Sequence, residues 1–511
     1  MPTRTRSAAL VGLDAIAVDV EADVADGLPT FTTVGLTHGA VREGRDRIAA
    51  ALANSGLSLP LRRVTVNLAP ADLRKTGAGF DLPIAIAVLA ASGQLPAAAG
   101  EQRLAIGELG LGGEVRPVRG VLSVALLARE LGVAELLVPQ VNAAEAALVA
   151  GVTVIGVSDL AAAFAHLRGT RPIVPTPHAP ILPEGAAASD GIDFADVQGQ
   201  PLARRALEIA AAGHHSALLI GPPGAGKTML ARRLPGILPP LSLDEAIETS
   251  RVHSVAGLHV PGRPLDSRRP FRAPHHTTSD AGLVGGGSGP RPGEVSLAHH
   301  GVLYLDELPH FRPSALEALR QPLEDGIVSI VRATRAVIFP ASTMLIAAMN
   351  PCPCGWHEEP GDRCRCAPTL VAKYRGRLSG PLLDRIDLQV RLPAVSPAAM
   401  VQGAPGESSA TVRARVAGAR ARQRVRGQPG PNAHLTAEWL GRVAPLDAES
   451  AALLIRLAER HGLSARGQQR IRRVARTIAD LDGEQHMAPH HLAEAMAMRQ
   501  TVEGSSAPMG R

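Results

Sequence analysis

The 511-residue sequence predicts an α/β protein: a central phosphate-loop core on a parallel sheet, preceded by another α/β domain and followed by a helical region. Three observations carry this. Gly221-Pro-Pro-Gly-Ala-Gly-Lys-Thr228 is a complete GxxxxGK[ST] loop, set between an apolar run at 216–220 and a helical one from Met229. The runs at 217–220, 302–305 and 344–348 have the continuous hydrophobic character of parallel strands covered on both faces. From 410 to 501 the apolar spacing is helical, with no convincing strand.

The parts follow in order along the chain. Residues 1–168 alternate apolar runs at 15–20, 63–68, 136–139 and 153–157 with helical stretches such as 41–54, which predicts an α/β or α+β domain. Residues 169–191 hold five prolines and little periodicity, so they read as a linker. The core is expected over 192–400, the helical lid over 401–503 and a short tail over 504–511.

Composition narrows the function classes. With 53 basic and 47 acidic side chains the surplus is +6, which permits a nucleic-acid partner without demanding one. Aromatics are only 2% of residues, which argues against a groove that stacks bases on Phe, Tyr and Trp. The longest apolar run, around 82–91, falls short of the roughly 18 residues a membrane span needs. Asp14 and Asp19 interrupt the N-terminal apolar stretch, against a secretory signal. The expectation is a cytoplasmic protein with no membrane segment.

Only three of the 53 basic residues are lysines, and Lys227 is one of them. A compact ammonium reaches between β- and γ-phosphates where a guanidinium fork does not fit. Gly221, Pro222, Pro223, Gly224, Ala225, Gly226, Lys227 and Thr228 are therefore read as a cradle for ATP, with Thr228 a ligand of Mg²⁺. Asp306 and Glu307 close the apolar strand at 302–305; Asp306 is assigned to Mg²⁺ and Glu307 to polarising the attacking water. Asn350 ends the strand at 344–348, where it could hold the same water. Alone, such an Asn would be an ordinary turn residue.

Two further segments carry candidate chemistry. All four cysteines, Cys352, Cys354, Cys364 and Cys366, lie within fifteen residues directly after Asn350. Four thiolates suit tetrahedral Zn²⁺ in a structural role, although the CxC spacing is tighter than usual and reduced thiols or a redox pair stay open. Residues 326–340 read as two β-branched strands around Arg332-Ala-Thr-Arg335, a hairpin whose arginines could grip DNA phosphates. The 271–287 stretch reads as an inserted hairpin, its His275 and His276 packing or hydrogen-bonding groups rather than metal ligands.

These strings resemble the Mg-chelatase-like AAA+ ATPases of the ComM/YifB family, nearly end to end. The resemblance rests on 193–200, 221–241, 271–287, 291–311, 347–355, 379–388 and 464–481. It implies an AAA+ core with inserted hairpins, working as a ring, a homo-hexamer, and a DNA branch-migration helicase role in natural transformation. It also implies that Arg385 is a finger reaching into a neighbour's nucleotide site, with Arg377 in reserve, and that Arg466 is a sensor coupling the lid to hydrolysis. The first domain resembles a Lon-protease-like fold through 67–85 and 107–121, but Gly79 and Leu122 stand where the serine and lysine of the peptidase dyad would fall. Proteolysis is accordingly not expected, and Lys75 reads as a surface charge or ligand contact. A motor that remodels a protein partner for metal insertion remains the rival reading.

Overall fold

The apolar runs pair into two separate large sheets, and the chain divides into two compact units: Met1–Pro183, Leu243–Ser267 and Val331–Ile338 in one, Glu184–Ser242, Arg268–Ile330 and Phe339–Arg511 in the other. The computed structural model describes residues 2–35, 40–73, 75, 77–178, 191–259, 265–287, 290–332, 335–394 and 406–499, with only the backbone at Ala40, Arg42, Arg332 and Arg335. The expected tail, 504–511, and linker residues 179–190 lie outside the described residues.

The first unit is built on seven strands: β1 (Thr3–Val11), β2 (Asp14–Ala25), β3 (Thr30–Val34), β4 (Arg63–Ala69), β5 (Arg103–Ala105), β8 (Glu135–Pro139) and β9 (Val154–Val157). Their order is β3-β4-β2-β1-β5-β8-β9, and a separate two-residue ladder joins β6 (Glu108–Leu109) to β7 (Val115–Arg116). β1 and β2 form a hairpin whose turn places Gly12 at φ +63, where a side chain would be strained. The helix Asp81–Ala91 is apolar on every face, and Asp81 through Ala90 are all buried, as a helix inside a core requires. Asp81, at its positive N-terminal end, accepts two bonds from Arg47 at 2.7 and 3.0 Å.

Three points in this unit depart from the sequence expectations. β1, β3 and β5 are strands that the apolar pattern did not mark, because each carries Thr or Arg among its apolar residues. The helix Leu243–Ala256 and the tip of the 326–340 hairpin count with this unit although their sequence lies inside 192–400. Lys75 is not a surface charge: it is fully buried, donates to the Pro70 carbonyl, and burial lowers its pKa.

The second unit carries a five-stranded sheet: β10 (Ala217–Ile220), β11 (Phe271–Arg272), β14 (Val302–Leu305), β17 (Met344–Met349) and β18 (Leu388–Arg391). The order is β11-β14-β17-β10-β18 and every pairing is parallel. All residues of β10, β14 and β17 are buried, in agreement with their uninterrupted apolar sequences. β15 (Ile327–Arg332) and β16 (Arg335–Pro340) form the expected pair of strands. The 271–287 stretch is not a hairpin. Its first two residues add the edge strand β11, a short helix follows at Asp280–Val284, and β12 (Gly285–Gly286) pairs with β13 (Arg291–Pro292). Glycine at 285, with φ +112 and an added Cβ only 2.7 Å from the Arg291 carbonyl, permits that close approach and breaks the predicted strand pattern.

The C-terminal part is helical, as expected, with Ser409–Val425, Ala437–Val443, Ala448–His461, Ala465–Asp482 and Pro489–Ala497. Ser408, Asp447 and Ser464 cap three of these by accepting a backbone N–H. A buried polar chain fixes the helix Ala465–Asp482 to the sheet. Asp387, just before β18, bonds His215 Nδ1 at 3.0 Å, and His215 Nε2 bonds Thr477 Oγ1 at 2.8 Å. Asn432 bridges Thr477 and Asp480 at 3.1 and 2.8 Å, and Asp480 also takes Arg476 at 2.9 Å.

Beside this chain His434 packs edge-on to His214, ring centroids 5.0 Å apart. Burial first, then the charge of Arg420, pulls His434 down to about 4. A base depressed in the fold binds fewer protons than in the unfolded chain, so stability is lost as pH falls from about 6.5 towards 4. Denaturation followed from pH 7 to 5 should show His434→Phe losing less stability than wild type by about 2 kcal/mol. Equal pH slopes in the two proteins would contradict this.

Candidate functional site

The sheet register decides which side chains meet. β17 lies between β10 and β14, pairing Ile220 with Met349 and Leu305 with Ala347, so three parallel strands end side by side. The residues that follow them are Gly221, Asn350 and Asp306. Ligand sites of open α/β sheets form at this carboxyl edge.

The loop leaves β10 through Gly221, where an added Cβ would lie 2.6 Å from the Leu392 carbonyl. Gly224 and Gly226 take φ of +80 and +88 with open space beside them, which turns the backbone into the helix Lys227–Ile237. That helix N-terminus and the loop amides make a favourable seat for anionic oxygens. Lys227 Nζ donates to the carbonyls of Gly221 at 2.6 Å and Pro222 at 2.9 Å, and to Asn350 Oδ1 at 3.0 Å. Burial lowers its pKa, against the pull of Asp306 and Glu307.

Thr228 Oγ1 donates to Asp306 Oδ2 at 2.8 Å and accepts from the Tyr304 hydroxyl at 3.1 Å. Two hard oxygens side by side at a strand end form a donor set that fits Mg²⁺, which takes one or two protein oxygens and fills its shell with water and phosphate. Glu307 stands at φ +51, a rare conformation for a residue with a side chain, and its carboxylate turns outward to His310 and His276. The strand ends thus bring Lys227, Thr228, Asp306, Glu307 and Asn350 together.

The two arginines stand elsewhere. Arg385 is ion-paired with Glu324 and donates to the Pro381 carbonyl at 2.8 Å. Glu324 is held below the usual carboxylate range first by its bond to Arg385, with the charges of Arg466 and Arg470 adding to it. Arg385 is therefore the ion-pair partner of Glu324, Arg466 adds only its charge from further off, and among the described residues neither is a partner of Lys227, Thr228 or Asp306. Arg466 itself is exposed, in the first turn of Ala465–Asp482. Arg377 donates to the Pro309 carbonyl at 3.2 Å. The side chains of Arg332 and Arg335 lie outside the described residues.

The four cysteines converge with their sulfurs within 4.8 Å of one another. Cys352 to Cys354 is 3.3 Å, Cys352 to Cys364 is 3.8 Å and Cys354 to Cys364 is 3.7 Å. A tetrahedron with Zn–S of about 2.3 Å has edges of about 3.8 Å, so the set fits a zinc ion. Cys354 is held down at about 6, first by the Trp356 backbone N–H and then, against burial, by the thiols of Cys352 and Cys366. This loop also touches the phosphate loop: Gly355, at φ +86, lies so close that an added Cβ would stand 2.5 Å from Pro223 Cδ.

Five participants were missed from sequence: Tyr304, Tyr374, Gly355, Glu324 and His310. One signal was available for the first two. The chain has only two tyrosines, and both stand here, Tyr374 with its ring 6.1 Å from His310 and its hydroxyl pushed up to about 12 by burial.

Comparison with known proteins follows this geometry closely. The family model described as magnesium chelatase, subunit ChlI, matches residues 193–400, which hold the sheet and its loop. Companion models match 20–142, described as subunit ChlI of Mg-chelatase, and 406–499, described as the ChlI C-terminal part. Among curated relatives, the competence protein ComM of Haemophilus influenzae is 44% identical over 500 residues, 97% of each chain. The chain belongs to the ComM/YifB family of Mg-chelatase-like AAA+ proteins. YifB of Escherichia coli is 43% identical over 492 residues, 96% of each chain. An uncharacterized protein of Mycobacterium tuberculosis is 46% identical over 505 residues, 98% of each. Membership of this family agrees with the use of ATP and Mg²⁺. Among the described residues no helix is long and apolar enough to cross a membrane.

Proposed function

We propose that the protein is an ATP-hydrolysing ring motor acting on branched or duplex DNA, a hexameric helicase of the cytoplasm that promotes branch migration in recombination or natural transformation. The observation that carries the ATPase part is the convergence of Lys227, Thr228, Asp306, Glu307 and Asn350 at one sheet edge. Lys227 neutralises the β- and γ-phosphates, and Glu307 accepts a proton from the attacking water, which Asn350 orients. Mg²⁺, held by Thr228 and Asp306, supplies positive charge against the phosphate oxygens.

Arg466 serves as the sensor that couples the lid to hydrolysis, while Arg385 is held by Glu324 rather than at its own phosphate loop, which supports its acting on the site of a neighbouring copy. In that site a guanidinium stabilises the charge of the transferring phosphoryl group. The DNA part of the proposal rests on the relative named as a competence protein and on Arg332 and Arg335 at the end of β15 and the start of β16. The chelatase description of all three family models supports the second reading, a motor that remodels a protein partner for metal insertion. The cysteine centre binds structural zinc, which stiffens the loop between Asn350 and the helix Pro368–Arg375.

The test of the DNA role is unwinding of a synthetic four-way junction: ATP-dependent separation of its arms supports the motor, and ATP turnover without separation favours protein remodelling. Lys227→Ala and Arg385→Ala should each lower ATP turnover by at least about a hundredfold. Mixing the two should restore part of it, since the first supplies an intact finger and the second an intact loop; no recovery would contradict action in trans. Elemental analysis of the purified protein should find about one zinc per chain, with Cys354→Ser and Cys364→Ser losing both zinc and thermal stability. Full stability without metal would contradict the zinc assignment.

A further inference from the structure

Glu307 is the candidate base, yet on its own it is poorly fixed. It is half exposed and follows Asp306 at a left-handed φ of +51. Two imidazoles stand beside its carboxylate. His310 Nδ1 lies 3.2 Å from Glu307 Oε2, and His276 Nδ1 lies 3.6 Å from the same oxygen. The two rings meet edge to face, centroids 5.8 Å apart at 78°. Both contacts fall on Oε2, which leaves Oε1 to accept from a water.

Each histidine is itself held. His310 closes the turn that begins at Glu307, its backbone N–H donating to the Glu307 carbonyl at 2.7 Å, and its ring meets Tyr374 edge-on. His276 packs against His275, 4.1 Å between centroids, and meets the Phe311 ring edge-on at 6.4 Å. The segment carrying it is anchored at one end by β11 in the sheet and by a two-bond fork from Arg272 to Glu294, at 2.7 and 2.8 Å. The hydrogen-bonded ring therefore comes from the turn next to Glu307, and the second imidazole, in contact at 3.6 Å, from the 271–287 stretch more than thirty residues earlier.

We infer that His276 and His310 are positioning residues that clamp Glu307 for attack by water, and that the seating of the 271–287 stretch thereby sets the hydrolysis rate. The inference rests on the ATPase reading above. It explains why Glu307 adopts a strained backbone: the left-handed turn is what aims its carboxylate at both rings.

The contacts run through Nδ1, which gives the test its discrimination. An asparagine amide nitrogen falls close to the position of Nδ1, whereas a glutamine amide falls close to Nε2. Steady-state ATP turnover would be measured for wild type, Lys227→Ala, and the Ala, Asn and Gln variants of His276 and His310, with thermal midpoints on the same samples. The Ala and Gln variants should lose between about tenfold and about a hundredfold in kcat with KM within about twofold, while the Asn variants recover to within about threefold of wild type. Alanine variants as fast as wild type, or Asn as poor as Gln in samples of equal thermal stability, would overturn the clamp and leave the ATPase reading intact. A wild type no faster than Lys227→Ala would overturn both.

Discussion

The site depends on the register of three parallel strands. Because β17 runs between β10 and β14, the residues after each strand arrive together, and Lys227 can bond Asn350 while Thr228 bonds Asp306. Nothing in the local sequence of the loop brings these groups within 3 Å of one another. A one-residue slip of β17 would turn its apolar residues through the sheet and carry Asn350 away from Lys227. β10, β14 and β17 are buried on both faces, so such a slip would misfit close-packed side chains and draw a polar end residue into the apolar sheet; packing of the core thus sets the precision of the polar site.

Two buttresses extend that precision outward. The cysteine loop leaves directly from Asn350 and returns Gly355 against Pro223, so its packing ties the end of β17 to the phosphate loop. On the other side the Asp387–His215–Thr477 chain ties the start of β18 and the approach to β10 to the lid helix Ala465–Asp482. Arg385 lies two residues before Asp387, and Arg466 opens that same helix. The buried chain thereby joins the segment that carries Arg385 to the helix that carries Arg466. Breaking a buried, fully bonded chain of this kind costs several kcal/mol, which makes it a firm mechanical link.

The parts legible in the sequence were those set by local rules. The glycine loop, the uninterrupted apolar strands and the clustered cysteines each follow from short-range pattern, and the structure assembles them as expected. What the sequence hid was decided by distance in the chain. β1 and β3 mix Thr and Arg into their strands, so their pairing comes from their neighbours in the sheet and not from their own pattern. The 271–287 stretch looked like a hairpin, but its leading residues found an open sheet edge beside β14. Lys75 looked solvent-facing because charge usually is; only the fold reveals the Pro70 carbonyl that receives it. Glu324 carried no motif at all.

If the convergence at the sheet edge serves a motor on DNA, turnover must respond to DNA structure. The decisive measurement is ATP hydrolysis by the purified protein, alone and with single strands, plain duplex and a four-way junction, using Glu307→Gln as the blank. Turnover above the blank, rising most with the junction, is the predicted result. Turnover that stays level across every DNA would contradict action on DNA and favour protein remodelling, and turnover no higher than the blank would contradict the ATPase assignment itself.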